Sequence, residues 1–412
     1  MKKIILVLFV FALQNINAQN KSLVSYELLQ NFTKEELKSK WKENKIATAI
    51  SPIKSSVDAY EVIYKTKWHD GTEILASGFY FVPKNNSDEL PTIVINHGSE
   101  LKKEQNLRFG GLQAICIAFA TDGYSVLYPH YIGLGKGEKT HLYQIAESEA
   151  LANIDMIRAI KELNVEINIK NNDQLFLTGY SQGGHAAMAT HKIIQEEYSD
   201  EFTVTASSPM SGAYDMTGVQ SGVMFKKYEY QAYLPYLILS VQEQHKFYDG
   251  DIYDIFKEPY KTIIKENLNG NNTLRAVSKM LPDVPADMIL DSLVEQIKHN
   301  PDFPFMVELR KNNVYDWKPE TPIMLCYCNA DEQVTYKNAF VARDKMKENG
   351  AKRVLMSNGG KKYDHNTCAL FTLINTKFFF DSFKNGNKKG NKGNVGRRFL
   401  VSVAKLAIKP KK

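Results

Sequence analysis

The chain has 412 residues, of which 43% are hydrophobic and 24% are charged, a composition that excludes a fibrous or wholly disordered protein. The formal net charge is +6, but the basic excess is confined to the two ends. Residues 19–383 carry 40 basic and 46 acidic side chains, so this mildly acidic body is not expected to bind nucleic acid.

The first 18 residues have the pattern of a secretory signal peptide. Lys2 and Lys3 precede a short apolar stretch at 4–13, and the small residue Ala18 supplies a cleavage site. The stretch is too short to span a bilayer, and no later run of about 20 apolar residues follows. We therefore predict a secreted or periplasmic protein without a transmembrane helix.

A helical lead is predicted next, over residues 19–56, because Thr33 and Glu36 have capping-box spacing. A β-hairpin follows, with its turn at Asp70-Gly71. From residue 92 short apolar strands alternate with helices, which predicts an α/β fold: a mostly parallel sheet with helices on both faces. The predicted strands are 92–96, 124–128, 175–178, 203–207, 323–327 and 354–357, and the helices are 111–122, 146–163, 182–197, 336–349 and 367–383.

One long segment interrupts this alternation. It is helical by pattern and rich in Tyr, Leu, Met and Phe, so we interpret it as a cap or lid over the sheet, although a separate domain would show the same pattern. The basic end could make weak contact with an anionic membrane surface, but a solvated appendage is the simpler reading. The predicted divisions are signal peptide 1–18, helical lead 19–56, first core part 57–215, cap 216–310, second core part 311–383 and basic flexible tail 384–412.

The motif Gly179-Tyr180-Ser181-Gln182-Gly183 matches Gly-x-Ser-x-Gly between a predicted strand and a predicted helix. In that context the serine occupies a sharp turn, and the glycines let strand and helix approach closely. The start of the helix places backbone N–H groups and partial positive charge beside an attacked carbonyl. Ser181 is therefore the predicted nucleophile.

A serine nucleophile needs a base and a carboxylate that orients it, which follow in the order Ser, Asp, His in this architecture. His365 lies beyond the last predicted strand and is the predicted base. Asp331 follows the preceding strand and is the favoured acid, with Asp215 and Glu332 as competitors.

Two backbone N–H groups are needed to hold the oxyanion of a tetrahedral intermediate. One is predicted to be that of Gln182, directly after the nucleophile. The other should come from the loop after strand 92–96, where we assign Ser99, with Gly98 as an alternative.

The chain resembles the α/β-hydrolase superfamily, and within it the secretory lipase and esterase group, from residue 60 to 383. The resemblance implies acyl transfer to water through a covalent acyl-enzyme, and no metal or organic cofactor. One position departs from the group, because His130 stands where an Asp is expected. The motifs that carry the resemblance are His97-Gly98, residues 129–135, residues 179–185, residues 317–322 leading to Asp331, and Asp364-His365.

Two further hypotheses concern the surroundings of the site. Cys328 and Cys368 each lie three residues from a proposed triad member and could form a disulfide that braces the two loops. Four cap tyrosines could line an acyl-binding slot or could form the cap's own core. They are Tyr228, Tyr230, Tyr233 and Tyr236.

Together these features predict a secreted serine hydrolase that cleaves a small-molecule or lipid ester through Ser181, Asp331 and His365. A single-domain serine peptidase of the prolyl-oligopeptidase type would use the same three residues. A catalytically inactive hydrolase fold that binds a ligand or partner is the alternative from another class.

Overall fold

The computed structural model describes residues 21–44, 46–84 and 88–386. The predicted signal peptide and most of the basic tail, from residue 387, lie outside the described residues. Their proposed roles in export and in membrane contact remain predictions. Within the described ranges no helix is long and apolar enough to cross a membrane.

A nine-stranded sheet forms the centre of the fold, in the order β1-β2-β3-β5-β4-β6-β7-β8-β9. Strands β4 to β9 pair parallel with one another. Strands β1, β2 and β3 pair antiparallel, and β3 joins them to the parallel part of the sheet through β5. The predicted α/β class and mostly parallel sheet are confirmed. The strands are β1 Leu23–Phe32, β2 Val57–Lys67, β3 Glu73–Pro83, β4 Leu90–Asn96, β5 Ser125–Pro129, β6 Asn171–Tyr180, β7 Ala206–Met210, β8 Ile323–Cys328 and β9 Val354–Gly360.

Helices cover both faces of the sheet because neighbouring strand residues point to opposite sides. In β4, for example, Ile93 and Ile95 pack into one apolar cluster with α2 and α11, while Val94 packs into another with α3. Parallel strands buried on both faces are expected to be apolar throughout, as these are. The helices outside the cap are α1 Lys34–Glu43, α2 Gly111–Thr121, α3 Ala146–Glu166, α4 Gln182–Glu197, α10 Lys337–Glu348 and α11 His365–Lys384.

The helical lead predicted for residues 19–56 is wrong in its first part. Leu23–Phe32 is a strand that pairs antiparallel with β2, and most of its side chains are exposed on both faces. Because an edge strand with two exposed faces lacks a buried apolar face, its sequence does not show a clear period of two. The capping box is confirmed, because Thr33 Oγ1 accepts from the Glu36 N–H and Glu36 accepts from the Thr33 N–H.

The prediction of strand 203–207 is displaced by three residues from the observed strand, Ala206–Met210. Thr205 instead contacts the middle of β6, where its N–H donates to the Leu175 carbonyl and its side chain accepts from the Leu175 N–H. Register with β6 therefore sets where this strand begins, and the local sequence does not contain that information.

The segment between β7 and β8 is helical, as predicted for residues 216–310. Its buried residues form an apolar cluster of their own that also includes Ile132, Leu142 and Ile145 from the sheet domain. This shared cluster holds the cap against the loops at the carboxyl ends of the parallel strands. The cap contains α5 Tyr233–His245, α6 Tyr260–Asn267, α7 Leu274–Ser278, α8 Asp291–His299 and α9 Pro304–Arg310, with 3₁₀ turns at Ser221–Phe225, Ile252–Ile255 and Pro285–Met288.

Candidate active site

Ser181 occupies the turn between β6 and α4 with φ 62° and ψ −120°. A positive φ is uncommon for a residue with a side chain and marks backbone strain that the surroundings hold in place. The Ser181 N–H donates to the Met210 carbonyl at 3.0 Å, which ties the turn to β7. The strand–turn–helix context predicted for Ser181 is therefore present.

The glycines of the motif are required by close contacts. A Cβ atom on Gly179 would lie 2.2 Å from the Gly183 carbonyl oxygen, and one on Gly183 would lie 2.1 Å from the Asn96 carbonyl oxygen. No side chain fits at either place. The motif thus lets β6, the start of α4 and the end of β4 meet within van der Waals distance.

Asp331 and His365 are in direct contact. The His365 Nδ1 lies 2.9 Å from each carboxylate oxygen of Asp331, and both side chains are buried. Asp331 Oδ1 also accepts from the N–H groups of Gln333 and Val334, which fixes the orientation of the carboxylate. His365 begins α11, one residue after Asp364, whose side chain accepts from the Thr367 N–H as the helix N-cap.

Tyr180 links the Ser181 turn to His365. Its hydroxyl donates to the His365 carbonyl at 2.5 Å, and the two rings lie 4.8 Å apart between centroids. Because Tyr180 is adjacent to Ser181 in the chain, this contact brings the turn and the Asp331–His365 pair to the same edge of the sheet.

The competing carboxylates do not contact the His365 ring. Glu332 accepts the His365 backbone N–H at 3.0 Å, so it holds the start of α11 instead. Asp215 accepts from the N–H groups of Gly218 and Val219 in its own turn. The geometry therefore favours Asp331 among the three candidates.

A disulfide joins Cys328, the last residue of β8, to Cys368 in the first turn of α11. The hypothesis of this bond is confirmed, and the bond links the two segments that carry Asp331 and His365. Cys116 and Cys326 are buried and form no disulfide among the described residues.

The proposed oxyanion donors lie on the two segments expected to supply them. Among the described residues, neither the Gln182 nor the Ser99 backbone N–H has a hydrogen-bond partner. A Cβ on Gly98 would lie 3.7 Å from the Ser181 Cβ, so the loop that carries Ser99 rests against the nucleophile. Both N–H groups are therefore available to an acceptor.

Sequence reasoning missed a set of buried polar side chains behind Ser181, which we call the polar network: Glu149, Gln182, His185 and His141. Gln182 Nε2 donates to Glu149 Oε1 at 2.8 Å, and His185 Nδ1 lies 2.7 Å from Glu149 Oε2. His185 Nε2 lies 2.9 Å from the Asn312 carbonyl oxygen. A carbonyl oxygen can only accept a hydrogen bond, so His185 Nε2 carries a proton. A second proton lies between His185 Nδ1 and Glu149 Oε2, because two acceptors without a proton would repel each other.

Two histidines around the site are neutral because they are buried. Burial lowers the pKa of His141 to about 3, so its Nδ1–H donates to the Ile132 carbonyl and its Nε2 accepts from Gln182. Burial likewise lowers the pKa of His130 to about 3. His130 packs edge-on against Phe79 with 4.3 Å between ring centroids, so the loop accommodates the departure at this position.

The other side of Ser181 is a cavity lined mostly by apolar cap residues, which we call the Ser181 cavity. Two of the four tyrosines proposed for an acyl slot, Tyr228 and Tyr233, line it. Tyr230 stacks on Tyr233, and Tyr236 stacks on Tyr143, so these two support the wall from outside. The lining residues are Tyr143, Gln144, Ser181, Ala213, Met216, Gln220, Val223, Met224, Tyr228, Tyr233, Leu234, Leu237, Pro285 and Val334.

Comparison with known families identifies the family of this chain. A family model described as secretory lipase matches residues 111–372, a range that contains Ser181, Asp331 and His365. The chain belongs to the secretory lipase family. No curated protein matches the chain at a significant level.

Solved structures similar to this member of the secretory lipase family share its fold. A Legionella pneumophila protein is 27% identical, with a TM-score of 0.82 over 89% of this chain and 99% of that one. The rice cell wall degrading esterase LipA from Xanthomonas oryzae is 26% identical, with a TM-score of 0.76 over 86% and 94%. Candida antarctica lipase A in its closed state is 15% identical, with a TM-score of 0.66 over 89% and 85%, and shows the fold alone.

Membership of the secretory lipase family, together with an esterase among the similar structures, supports an ester hydrolase. Within the residues that the structure describes, no group of three or more His, Cys, Asp or Glu side chains could hold a metal ion.

Proposed function

We propose that this protein is a secreted serine hydrolase that cleaves carboxylic esters through Ser181, His365 and Asp331. The observation that carries the proposal is the buried His365–Asp331 pair, with 2.9 Å between ring nitrogen and carboxylate, beside a serine on a strained strand-to-helix turn. Secretion rests on the predicted signal at residues 1–18 and on the family's description.

The mechanism follows from the roles that these groups can play. Ser181 Oγ attacks the ester carbonyl while His365 Nε2 takes its proton, and Asp331 holds the imidazole in the tautomer that carries a proton on Nδ1. The N–H groups of Gln182 and Ser99 stabilise the oxyanion. His365 then protonates the leaving alcohol and later activates the water that releases the acid from Ser181.

The cap is proposed to be the part that selects substrates. The apolar lining of the Ser181 cavity suits the acyl chain of a small-molecule or lipid ester, because apolar groups gain free energy on leaving water. We propose that the cap acts as a lid over the Ser181 cavity. The basic tail is proposed to make at most weak contact with an anionic membrane surface.

The test is labelling of the mature protein with a fluorophosphonate probe, alongside turnover of para-nitrophenyl esters from acetate to palmitate. We expect one modified residue, Ser181, and ester turnover that falls by about 10⁶-fold in Ser181→Ala, as seen when a triad serine is removed. Ser39→Ala, an exposed serine on α1, is the matched control and should label and turn over like the parent protein.

Three results would contradict the proposal. Unchanged ester turnover in Ser181→Ala would exclude Ser181 as the nucleophile. Cleavage of peptide para-nitroanilides in preference to esters would favour the peptidase alternative. Folded protein that neither labels nor turns over any ester would favour a catalytically inactive binding protein.

A further inference from the structure

We propose that Gln144 determines specificity by accepting a hydrogen bond from a hydroxyl group of the ester substrate. Gln144 lines the same cavity as Ser181, so the inference rests on the proposed function. It narrows the substrate from any ester to one that carries a hydroxyl group close to the reacting carbonyl.

Two other polar side chains of the cavity, Gln220 and Tyr228, already have partners within the protein. Gln220 Nε2 donates to the Gln333 carbonyl at 3.0 Å, and its Oε1 accepts from Asn338 at 2.8 Å. The Tyr228 hydroxyl donates to the same Gln333 carbonyl at 3.0 Å. These groups have their partners within the protein, and a substrate would gain little by replacing them.

Gln144 is different, because its Oε1 is buried without a hydrogen-bond partner. The residue is only 5% exposed, so bulk solvent does not reach most of its side chain. A buried acceptor that lacks a partner costs free energy and is uncommon in folded proteins. Gln144 thus lines the cavity and carries an acceptor oxygen without a partner.

The neighbouring tyrosine accounts for the other end of the Gln144 amide. Burial raises the pKa of Tyr143 to about 12, opposed by hydrogen bonds from Ser99 and Gln144. An amide that favours the phenolate form does so through its N–H group. The Gln144 carbonyl oxygen has no hydrogen-bond partner of its own.

The backbone at Gln144 has a strained conformation and follows an anchored residue. Gln144 has φ 59°, in the left-handed region that residues with a side chain rarely adopt. The residue before it is anchored, because the Tyr143 N–H donates to Ser240 Oγ at 2.8 Å. Strained residues that their surroundings hold in one conformation cluster at ligand-binding sites.

The chemistry of the open position limits the ligand. The two oxygens of an ester group only accept hydrogen bonds, so a simple alkyl ester cannot satisfy Gln144 Oε1. A hydroxyl substituent on the acyl or alcohol part can donate to it. A site that pairs a substrate hydroxyl rejects the analogue without it, because the protein group then stays unpaired.

The experiment compares ethyl butyrate with ethyl 3-hydroxybutyrate and 2-hydroxyethyl butyrate, with acid release followed by pH-stat. The readout is the ratio of kcat/KM for each hydroxylated ester to that for ethyl butyrate. We expect the parent protein to prefer one hydroxylated ester by about tenfold, and Gln144→Leu to lose that preference.

Two further variants keep the test decisive. Gln144→Gly removes the amide while relieving the left-handed backbone, so it should fold even if the leucine variant does not, and should lose the same preference. Gln244→Leu is the matched control, because Gln244 Oε1 is also buried without a partner but the residue does not line the cavity. Its ratio should equal that of the parent.

The proposal is overturned if the parent protein prefers neither hydroxylated ester, or if both Gln144 variants keep the parent ratio. Turnover of none of the three esters would instead count against the proposed ester hydrolase itself, so failure of the two proposals can be distinguished.

Discussion

The two sides of Ser181 differ in chemistry. The polar network behind it consists of buried side chains whose hydrogen bonds are nearly all made within the protein, and Glu149, Gln182 and His185 are fully buried. The Ser181 cavity in front is lined mostly by apolar side chains of the cap. The network comes from α3, α4 and the loop before α3, whereas the cavity wall comes mainly from the segment between β7 and β8.

This difference separates two tasks. Hydrogen bonds between buried side chains hold the backbone and side chains in one geometry, because displacement leaves more buried polar groups without a partner. An apolar wall is non-directional and tolerates changes of shape. We infer that the network fixes the catalytic geometry and that the cavity wall decides which substrates fit.

The largest effect is expected from Glu149, a positioning residue for Gln182. Glu149→Leu removes one of the two acceptors of Gln182 Nε2 and the partner of His185 Nδ1, so the first turn of α4 should be held less firmly. We expect kcat to fall by about 100-fold with little change in KM, because the Gln182 N–H would no longer be held where it stabilises the oxyanion. Steady-state kinetics with para-nitrophenyl butyrate measure both values.

Glu149→Gln is the matched variant. Its carbonyl can accept from Gln182 while its amide donates to a His185 Nδ1 that has no proton, so every hydrogen bond is kept. It should restore kcat to within about tenfold of the parent value. Equal losses in the two variants would show that charge, and not hydrogen bonding, is what Glu149 contributes.

The next effect concerns stability at mildly acidic pH. Burial lowers the pKa of His130, His141 and His191 to about 3, below the value of about 6.5 in an unfolded chain. The unfolded state therefore binds more protons between these values, and the free energy of unfolding falls as the pH decreases below about 6. Each histidine should lower the free energy of unfolding by about 1.4 kcal/mol for each pH unit of acidification.

Urea unfolding at pH 6 and pH 5 measures this dependence. His191→Gln should reduce the slope by about one histidine's share, since His191 is buried away from the Ser181 cavity between Ser207 and Thr321. Ser39→Ala should keep the parent slope. If His191→Gln leaves the slope unchanged, His191 is not held neutral in the folded protein.

The smallest effect should come from the cavity wall. Val223 lines the Ser181 cavity and is half-buried, so Val223→Phe should shorten the longest acyl chain that fits without disturbing the core. We expect the ratio of kcat/KM for para-nitrophenyl octanoate to that for para-nitrophenyl acetate to fall by about tenfold. Loss of pocket space for one or two methylene groups changes kcat/KM by about this factor.

Val307→Phe is the corresponding control, because Val307 is a half-buried cap residue that does not line the cavity. Its chain-length profile should match that of the parent protein. A profile that shifts equally in both variants would mean that the cap responds as a whole and that the wall does not act locally.

Much of the fold could be predicted because its signals are local. The strand, turn and helix around Ser181 follow from four consecutive apolar or β-branched residues at 175–178 and two glycines, and the predicted helix 182–197 has the observed bounds. The order Ser181, Asp331, His365 follows from the position of each residue after a strand. The same placement made a Cys328–Cys368 bond a hypothesis beside two buried thiols, and only the structure decided in favour of the bond.

Other features could not be predicted, because they depend on residues far apart in the chain. Glu149 meets Gln182 across 33 residues, and His185 meets the carbonyl of Asn312 across 127. No period or spacing marks Glu149 on the buried face of α3, where an apolar residue is expected. The edge strand Leu23–Phe32 likewise exists through its pairing with β2.

The sequence by itself determined which residues can carry the chemistry, because a strained turn, its glycines and the alternation of strands and helices are encoded in neighbouring residues. Only the tertiary structure decided which polar groups meet behind Ser181, which cap residues face it, and that Gln144 Oε1 is left without a partner. The physical reason is that burial and hydrogen bonding are properties of the packed chain, set by contacts that local sequence does not specify.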